Sequence, residues 1–595
     1  MKSNRLLKVF GVVIVAVMIL TACAPAATST TVPPTQAAAP TTPPTQAAAP
    51  TTPPTQAAAP TTAPTTAPTV AAGKTTIIIG TTDKIASLDP ADAYAVHDWE
   101  TIMNVNDGLL RYKPGVTDLE PVLATALPTI SSDGLTYTFT LKDGIKFADG
   151  TPLDATSYAA QLNRLLTIGP SCPNDVADSL AVPFVKSIEA PDAKTIVFTL
   201  KSPVAFFSQI LAVSPYFTAD PNIFPADQCV LFPPAPIYGT GPWYISQYNA
   251  SEQMVFEPNP YYTGDLKPQV DQIIVKYYSD PNTMALAVQS GEIDVAWRIL
   301  SPEQLTPLRS VSGLTVGDIN GGGIRFLVIN HTMAPTNDPN VDKAIASAID
   351  RNAIVDTVYG GNVSPLYSMV PPGFIGANEA FDTTYTSPNL DAAKKYLEAS
   401  GYSASNPLKL DVWYPPEHYG ASTVAAMQLI KTQLEATGEI QVNLQAQEWS
   451  TYITALVQGK SYPVGILGWF FDYPDSSNYL DPFVYNRGEG TNVTVPQEGS
   501  TYGVPITGTF ETDATNLVNL LNQADVETDL TKRADLYQQA QQVAADMVLT
   551  VPLYFVSEHL VYRSNIHGSS SYAAAETLNV GPTIELNYSL LSKTP

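Results

Sequence analysis

Basic residues are scarce in this chain, where 30 Lys and Arg stand against 55 Asp and Glu for a formal charge of -25. That balance excludes the basic patches by which proteins hold nucleic acid or adsorb to anionic lipid, and beyond this it indicates only solubility. Histidine is scarce too. His97, His331, His418, His559 and His567 form no close metal-binding pair and no His-Glu-x-x-His helix. No Gly-x-Ser-x-Gly elbow occurs. Gly73-Lys74-Thr75 has the ending of a phosphate-binding loop, but Pro68 stands where that loop needs its first glycine. No cofactor and no metal are therefore expected. Paired carboxylates are the catalytic option that composition leaves open, so a secreted polysaccharide-degrading enzyme is the alternative class. There is also no apolar run of the roughly 20 residues needed to span a bilayer; the one at Val9 to Leu20 is about a dozen long.

That short run follows Lys2, Arg5 and Lys8, which is the layout of a signal peptide, here residues 1–22. It ends in Leu20-Thr21-Ala22-Cys23, which resembles a bacterial lipobox, so Cys23 is the expected lipidation site. A thioether-linked diacylglycerol supplies two chains, enough for stable anchoring at the outer face of a membrane. Residues 23–73, which begin at Cys23, are almost entirely Pro, Thr, Ala and Gln, with a decapeptide repeated from Pro40 and Pro50. Such a stretch builds no core and favours extended polyproline II, reaching on the order of 150 Å as a spacer. Besides Cys23 only Cys172 and Cys229 are present. An even pair in an exported chain is expected to form a disulfide, the alternative being two separate buried thiols.

From Lys74 onward, strands and helices mix, which predicts an α/β fold of about two to four domains. Tyr137, Phe139 and Leu141 alternate, then Ile145 and Phe147, with Asp143-Gly144 between them; this spacing predicts a hairpin. Helices are predicted from Ala155 to Leu166, from Pro281 to Gly291 behind an Asp280 cap, over Val341 to Ile349, from an Asp350 cap to Gly360-Gly361, and from Ser387-Pro388 to Gly401.

The segment from Leu123 to Leu166, with Lys142-Asp143-Gly144-Ile145-Lys146-Phe147-Ala148-Asp149-Gly150 at its centre, resembles the signature of the family 5 solute-binding proteins that serve peptide and nickel importers. Further blocks, one before this segment and the rest after it, stand in that family's order. They are Ser87-Leu88-Asp89-Pro90, Gly239-Thr240-Gly241-Pro242-Trp243, Asn259-Pro260-Tyr261-Tyr262, Ser290 to Asp294, Asp342 to Arg351, and Arg533 to Leu553. Asp107-Gly108 replaces the family's Tyr-Glu, and Lys343 stands where an Arg is usual. The resemblance runs over nearly all of Lys74 to Pro595. It implies a monomeric binding protein with three lobes, not an enzyme: a discontinuous domain I (74–118, 237–325 and 549–595), an inserted domain II (119–236) and a domain III (326–548). Crossings at Gly322 to Asn330 and Val548 to Leu560 would form the hinge. The implied partners are the permease subunits of an ABC importer, with its ATPase indirectly.

Within that class, peptides lead, and oligosaccharides, opines and nickel complexes are alternatives on the same fold. The resemblance implies that Asp472, in Gly468-Trp469-Phe470-Phe471-Asp472-Tyr473-Pro474-Asp475, holds the α-ammonium of a peptide. Trp469, Phe471 and Tyr473, with Phe470, would supply apolar walls. Asp475 competes for the role, and Asp472 capping the turn before Pro474 is the plainer reading. Trp413, Trp449 and Trp469 have the faces to stack on sugars, although large aromatics at such positions are more often core.

Overall fold

A computed structural model describes residues 73–113, 116–174, 176–297, 300–420, 422–458, 461–484, 510–568 and 585–595. The leader, Cys23 and all of the tether before Gly73 lie outside the described residues.

An eleven-stranded mixed sheet organises the chain. Strand β1 (Thr76–Thr81) lies between two parallel neighbours, Gln272–Tyr277 and Val295–Trp297. Two long strands carry the sheet onward, β2 (Leu314–Ile329) and β4 (Thr550–Arg563), which pair antiparallel almost from end to end. At about 3.3 Å per residue, β2 spans about 50 Å. Its first half lies in the part of the sheet that holds β1; its second half pairs with β3 (Val464–Trp469), beyond which lie the parallel strands Leu408–Tyr414 and Ile440–Ala446. The β2–β4 ladder shifts register between Asn320 and Gly323 and again between Arg325 and Phe326. Gly322 sits in the first break with φ +63°, a conformation that glycine enters freely, and a Cβ there would meet Phe471 at 2.5 Å.

A second, four-stranded sheet runs in the order Thr129–Ile130, Thr136–Thr140, Thr195–Leu200, Val185–Glu189. Here the predicted hairpin is wrong. Thr136–Thr140 pairs with the remote strand Thr195–Leu200, whose Ile196, Phe198 and Leu200 alternate with the same period, while Ile145 and Phe147 are buried as part of a turn. Cys172 and Cys229 are joined by a disulfide, with Cα atoms 6.0 Å apart.

Helix ends follow their local chemistry. Asp280 accepts from the Asn282 amide ahead of Pro281–Ser290, and Gly291 closes that helix at φ +83°. Asp350 caps Arg351–Tyr359 by accepting from Ala353, and Gly360 ends it in the left-handed region. The predicted Ala155–Leu166 helix breaks at Asn163 into Ala155–Leu162 and Arg164–Thr167, the first with a reciprocal Asp154–Ser157 capping box. Arg164, which opens the second helix, is buried in a bidentate ion pair with Asp89, with Nη–O distances of 2.8 and 2.7 Å. The α/β fold expected from the sequence is thus observed. The chain's last residues return to β1, where the Lys593 ammonium donates to the Thr76 carbonyl at 2.9 Å and to Asp294 at 2.8 Å.

Candidate functional site

Strand β3 is buried from Val464 to Leu467 and opens at Gly468, so the residues that follow leave the sheet beside the β2 register breaks. Asn478, in the helix Ser477–Val484, fixes their path: its Oδ1 accepts from the Asp472 amide at 2.8 Å and from Trp469 Nε1 at 3.3 Å, while its Nδ2 donates to Asp472 Oδ2 at 3.2 Å. Asp472 is half-buried. Burial pushes its carboxyl up to about 6, against the lowering effect of hydrogen bonds from Asn478 and the Tyr94 hydroxyl. Both partners are neutral, and among the described residues no lysine or arginine pairs with it. A carboxylate desolvated to this degree without a cation is an unmet demand for positive charge.

Asp475, three residues on, is in the opposite condition. Its carboxylate is buried, receives Arg533 Nη2 at 2.5 Å and the Tyr537 hydroxyl at 3.0 Å, and caps the turn through the Ser477 amide. It is committed to joining this turn to the helix Leu530–Asp546.

The aromatic residues of the segment divide the same way. Trp469 and Phe470 are half-buried. Phe471 is 7 % exposed, packs on Phe374 with ring centroids 5.2 Å apart, and covers Gly322. Tyr473 is buried and belongs to the apolar cluster of the four-stranded sheet, where it stacks on Phe206. The structure thus gives Trp469 and Asp472 a shared partner in Asn478, lays Phe470 over Gly323 and beside Arg325, and turns Phe471 and Tyr473 into packing. Of the tryptophans, Trp413 has one face covered by Tyr462 at 4.1 Å and Trp449 one face covered by His418 at 3.4 Å.

Tyr94 was not visible as a site residue in the sequence, because it stands far upstream in a segment with no spacing relation to Asp472. A separate small recess is lined in part by Asp83, His97, Glu100 and Trp297. Glu100 there serves the fold, accepting from Trp297 Nε1 at 2.7 Å, the Leu586 amide at 3.1 Å and the Tyr588 hydroxyl at 2.9 Å. Among the described residues no cluster of His, Cys, Asp and Glu is arranged to hold a metal, and no helix is long and apolar enough to cross a membrane.

Residues 118–491, more than half of the chain, match the family description "Bacterial extracellular solute-binding proteins, family 5 Middle". A probable D,D-dipeptide-binding periplasmic protein of Escherichia coli is 28% identical over 84% of this chain and 92% of its own length. The oligopeptide-binding protein of Bacillus subtilis is likewise 28% identical, over 83% and 90%. Among solved structures, a periplasmic binding protein of Helicobacter pylori in complex with the peptide STSA superposes with a TM-score of 0.69 at 22% identity, covering 88% of this chain and 99% of its own.

Proposed function

This chain belongs to the bacterial extracellular solute-binding proteins of family 5, and from that we propose that it captures a di- or oligopeptide between hinged lobes and delivers it unmodified to an ABC importer. The observation that carries the reading is Asp472, whose half-buried carboxylate has only neutral partners. A peptide's α-ammonium, mostly protonated at neutral pH, meets that demand with a charge-assisted hydrogen bond. Relatives named for dipeptide and oligopeptide binding support the ligand class. Partly covered Trp413 and Trp449 faces weigh against the saccharide alternative.

The lobes of the proposal are domain I (74–118, 237–325 and 549–595), domain II (119–236) and domain III (326–548). An apolar cluster around Phe139, Phe198 and Phe207 supports setting domain II apart and one around Leu327, Val412 and Ile466 lies mostly in domain III, while a further cluster joins Ile77 and Trp243 of domain I to Leu517 and Tyr537 of domain III. The first of these also takes Trp99 and Leu110 from the preceding segment. Strands β2 and β4 would be the hinge, with the glycine-bearing register break as its compliant point. Closure of such lobes around a solute is a form that a permease can distinguish from the open one. Lipidation at Cys23 and the tether up to Gly73 would hold the protein at the membrane.

The test incubates the purified protein with mixed peptides and mixed oligosaccharides and identifies by mass what stays bound. Intact peptides are expected. Retained saccharides would move the ligand class, and cleaved products of either kind would replace the binding function by an enzymatic one.

A further inference from the structure

We propose that Phe206 of domain II, gripped between Tyr473 and Arg533 of domain III, is a latch that favours the closed form of the protein whatever solute it holds; the inference rests on the lobe division proposed above. Domain II is inserted into domain I, and the proposed hinge joins domain I to domain III, so a contact between domains II and III is one that closing makes and opening breaks. Phe206 is fully buried. Tyr473 covers its ring at a centroid distance of 5.2 Å, and the Arg533 guanidinium lies 5.4 Å from the ring centroid. Beside it the Ala205 amide donates to the Asp525 carbonyl at 2.7 Å. Although it follows Asp472 in domain III, Tyr473 is 3 % exposed and packs into the apolar cluster of domain II.

Each side of this seam is fixed from behind. Within domain III, Arg533 Nη2 donates to Asp475 at 2.5 Å and to the Tyr537 hydroxyl at 3.2 Å, and the Tyr473 hydroxyl meets that of Ser477 at 3.2 Å. Within domain II, Phe184 packs edge-on against Phe206 with centroids 6.2 Å apart, and the Val204 carbonyl accepts from the Tyr137 hydroxyl at 3.0 Å. Across the seam run a ring stack, a cation–ring contact and a backbone hydrogen bond, and parting these leaves the buried Arg533–Asp475 pair intact. Opening therefore strands no charge. It does put two aromatic rings into water, which disfavours the open form by a factor on the order of a hundred. Both rings are buried and neither has a face left for a solute, so the bias is the same for every ligand and does not select among them.

The test is hydrogen exchange resolved at the Ala205 amide of the purified protein without solute, for wild type, Phe206→Leu and Tyr473→Leu. Native mass spectrometry of each with di- to tetrapeptides of Ala, Leu, Phe and Ser, as free acids and as N-acetyl derivatives, follows. Exchange at Ala205 should be about three- to tenfold faster in either variant, with a smaller change at the amides of Thr136–Thr140 inside domain II. Tyr473→Leu cuts the contact from the domain III side and covers the case in which the Phe206 variant does not fold. Any loss of peptide affinity should be one common factor, so that the ratio between free and acetylated forms stays that of wild type. Unchanged exchange at Ala205 in the folded variants overturns the latch. So does equal acceleration at Ala205 and Thr136–Thr140, which marks a role in folding, and so does a loss of affinity that differs from peptide to peptide. Exchange at Ala205 of wild type as slow as that within Thr136–Thr140 would mean that the seam parts only on unfolding, which overturns the lobe division and the latch with it. Retention of no peptide overturns the peptide reading alone and leaves the latch to the exchange result.

Discussion

Tyr473 lies flat against Phe206, their ring centroids 5.2 Å apart and their planes 9° from parallel. The stack ties the segment that presents Asp472 to the core of the four-stranded sheet. Around it, the Ala205 amide donates to the Asp525 carbonyl at 2.7 Å and the Arg533 guanidinium sits 5.4 Å from the Phe206 ring. A ring pair of this kind contributes about 0.5–1.5 kcal/mol beyond its buried area. A urea-unfolding double-mutant cycle with Phe206→Leu and Tyr473→Leu should return a coupling in that range. Additive effects would mean that the rings merely adjoin.

Asp472→Ala should weaken binding of a free peptide by roughly thirty-fold or more, since truncating one partner of a desolvated charge pair costs about 2–5 kcal/mol. Binding of the N-acetylated peptide, already poor, should hardly change. Titration calorimetry on both ligands reads the difference, and equal affinity of wild type for the two would remove the ammonium contact.

The same carboxyl gives the pH dependence a sign. Burial raises it to about 6 in the ligand-free protein, so it is ionised above that value and increasingly protonated below. A bound ammonium needs the ionised form, so affinity should fall about tenfold per pH unit below 6, and should fall again above the ammonium pKa near 8. Because a raised carboxyl pKa means that folding disfavours the charged form, Asp472→Asn should raise the melting temperature of the ligand-free protein at pH 7. Calorimetric binding between pH 4.5 and 9, with thermal melts of both proteins, checks the two statements.

Asp475→Ala should act on the fold rather than on ligand choice. It leaves Arg533 buried without its counter-ion, a change that costs about 3–5 kcal/mol. Denaturant unfolding should show that loss, while discrimination between free and acetylated peptides survives in the fraction that is folded.

Two predictions concern the sulphurs. Reducing the bond between Cys172 and Cys229, which are 57 positions apart, should lower unfolding free energy by about 4 kcal/mol in the chain-entropy account. Unfolding with and without reductant measures it. Cys23→Ser should move the protein from the detergent to the aqueous phase with its thermal melt unchanged; continued partitioning into detergent would contradict lipidation there.

Local chemistry was the legible part of the sequence. Asp280, Pro281 and Gly291 mark a helix because capping and the left-handed turn involve only neighbours along the chain. The hairpin was misread because period-two alternation identifies a strand without identifying its partner, and Thr195–Leu200 competes with the same pattern. Asp472 was reached through family resemblance, and what favours proposing it over Asp475 is that Asp475 is bonded to Arg533 and Tyr537, which no spacing rule connects to it. Phe471 and Tyr473 look like pocket walls in the sequence as much as Trp469 does. Which apolar ring faces solvent depends on Phe374 and Phe206, brought up from elsewhere in the chain.

The clasp of Lys593 on Thr76 and Asp294 has a mechanical consequence. Both ends of the folded part enter the sheet on the β1 side of the β2 register breaks. A load applied at Gly73 is therefore taken up in that half of the sheet, and it has no lever arm across the Gly322 break. For the hinge proposed above, tension at Gly73 would leave the free-energy difference between open and closed forms unchanged, and a reporter domain fused after Pro595 would ride on the β1 half of the sheet without disturbing the motion of the other.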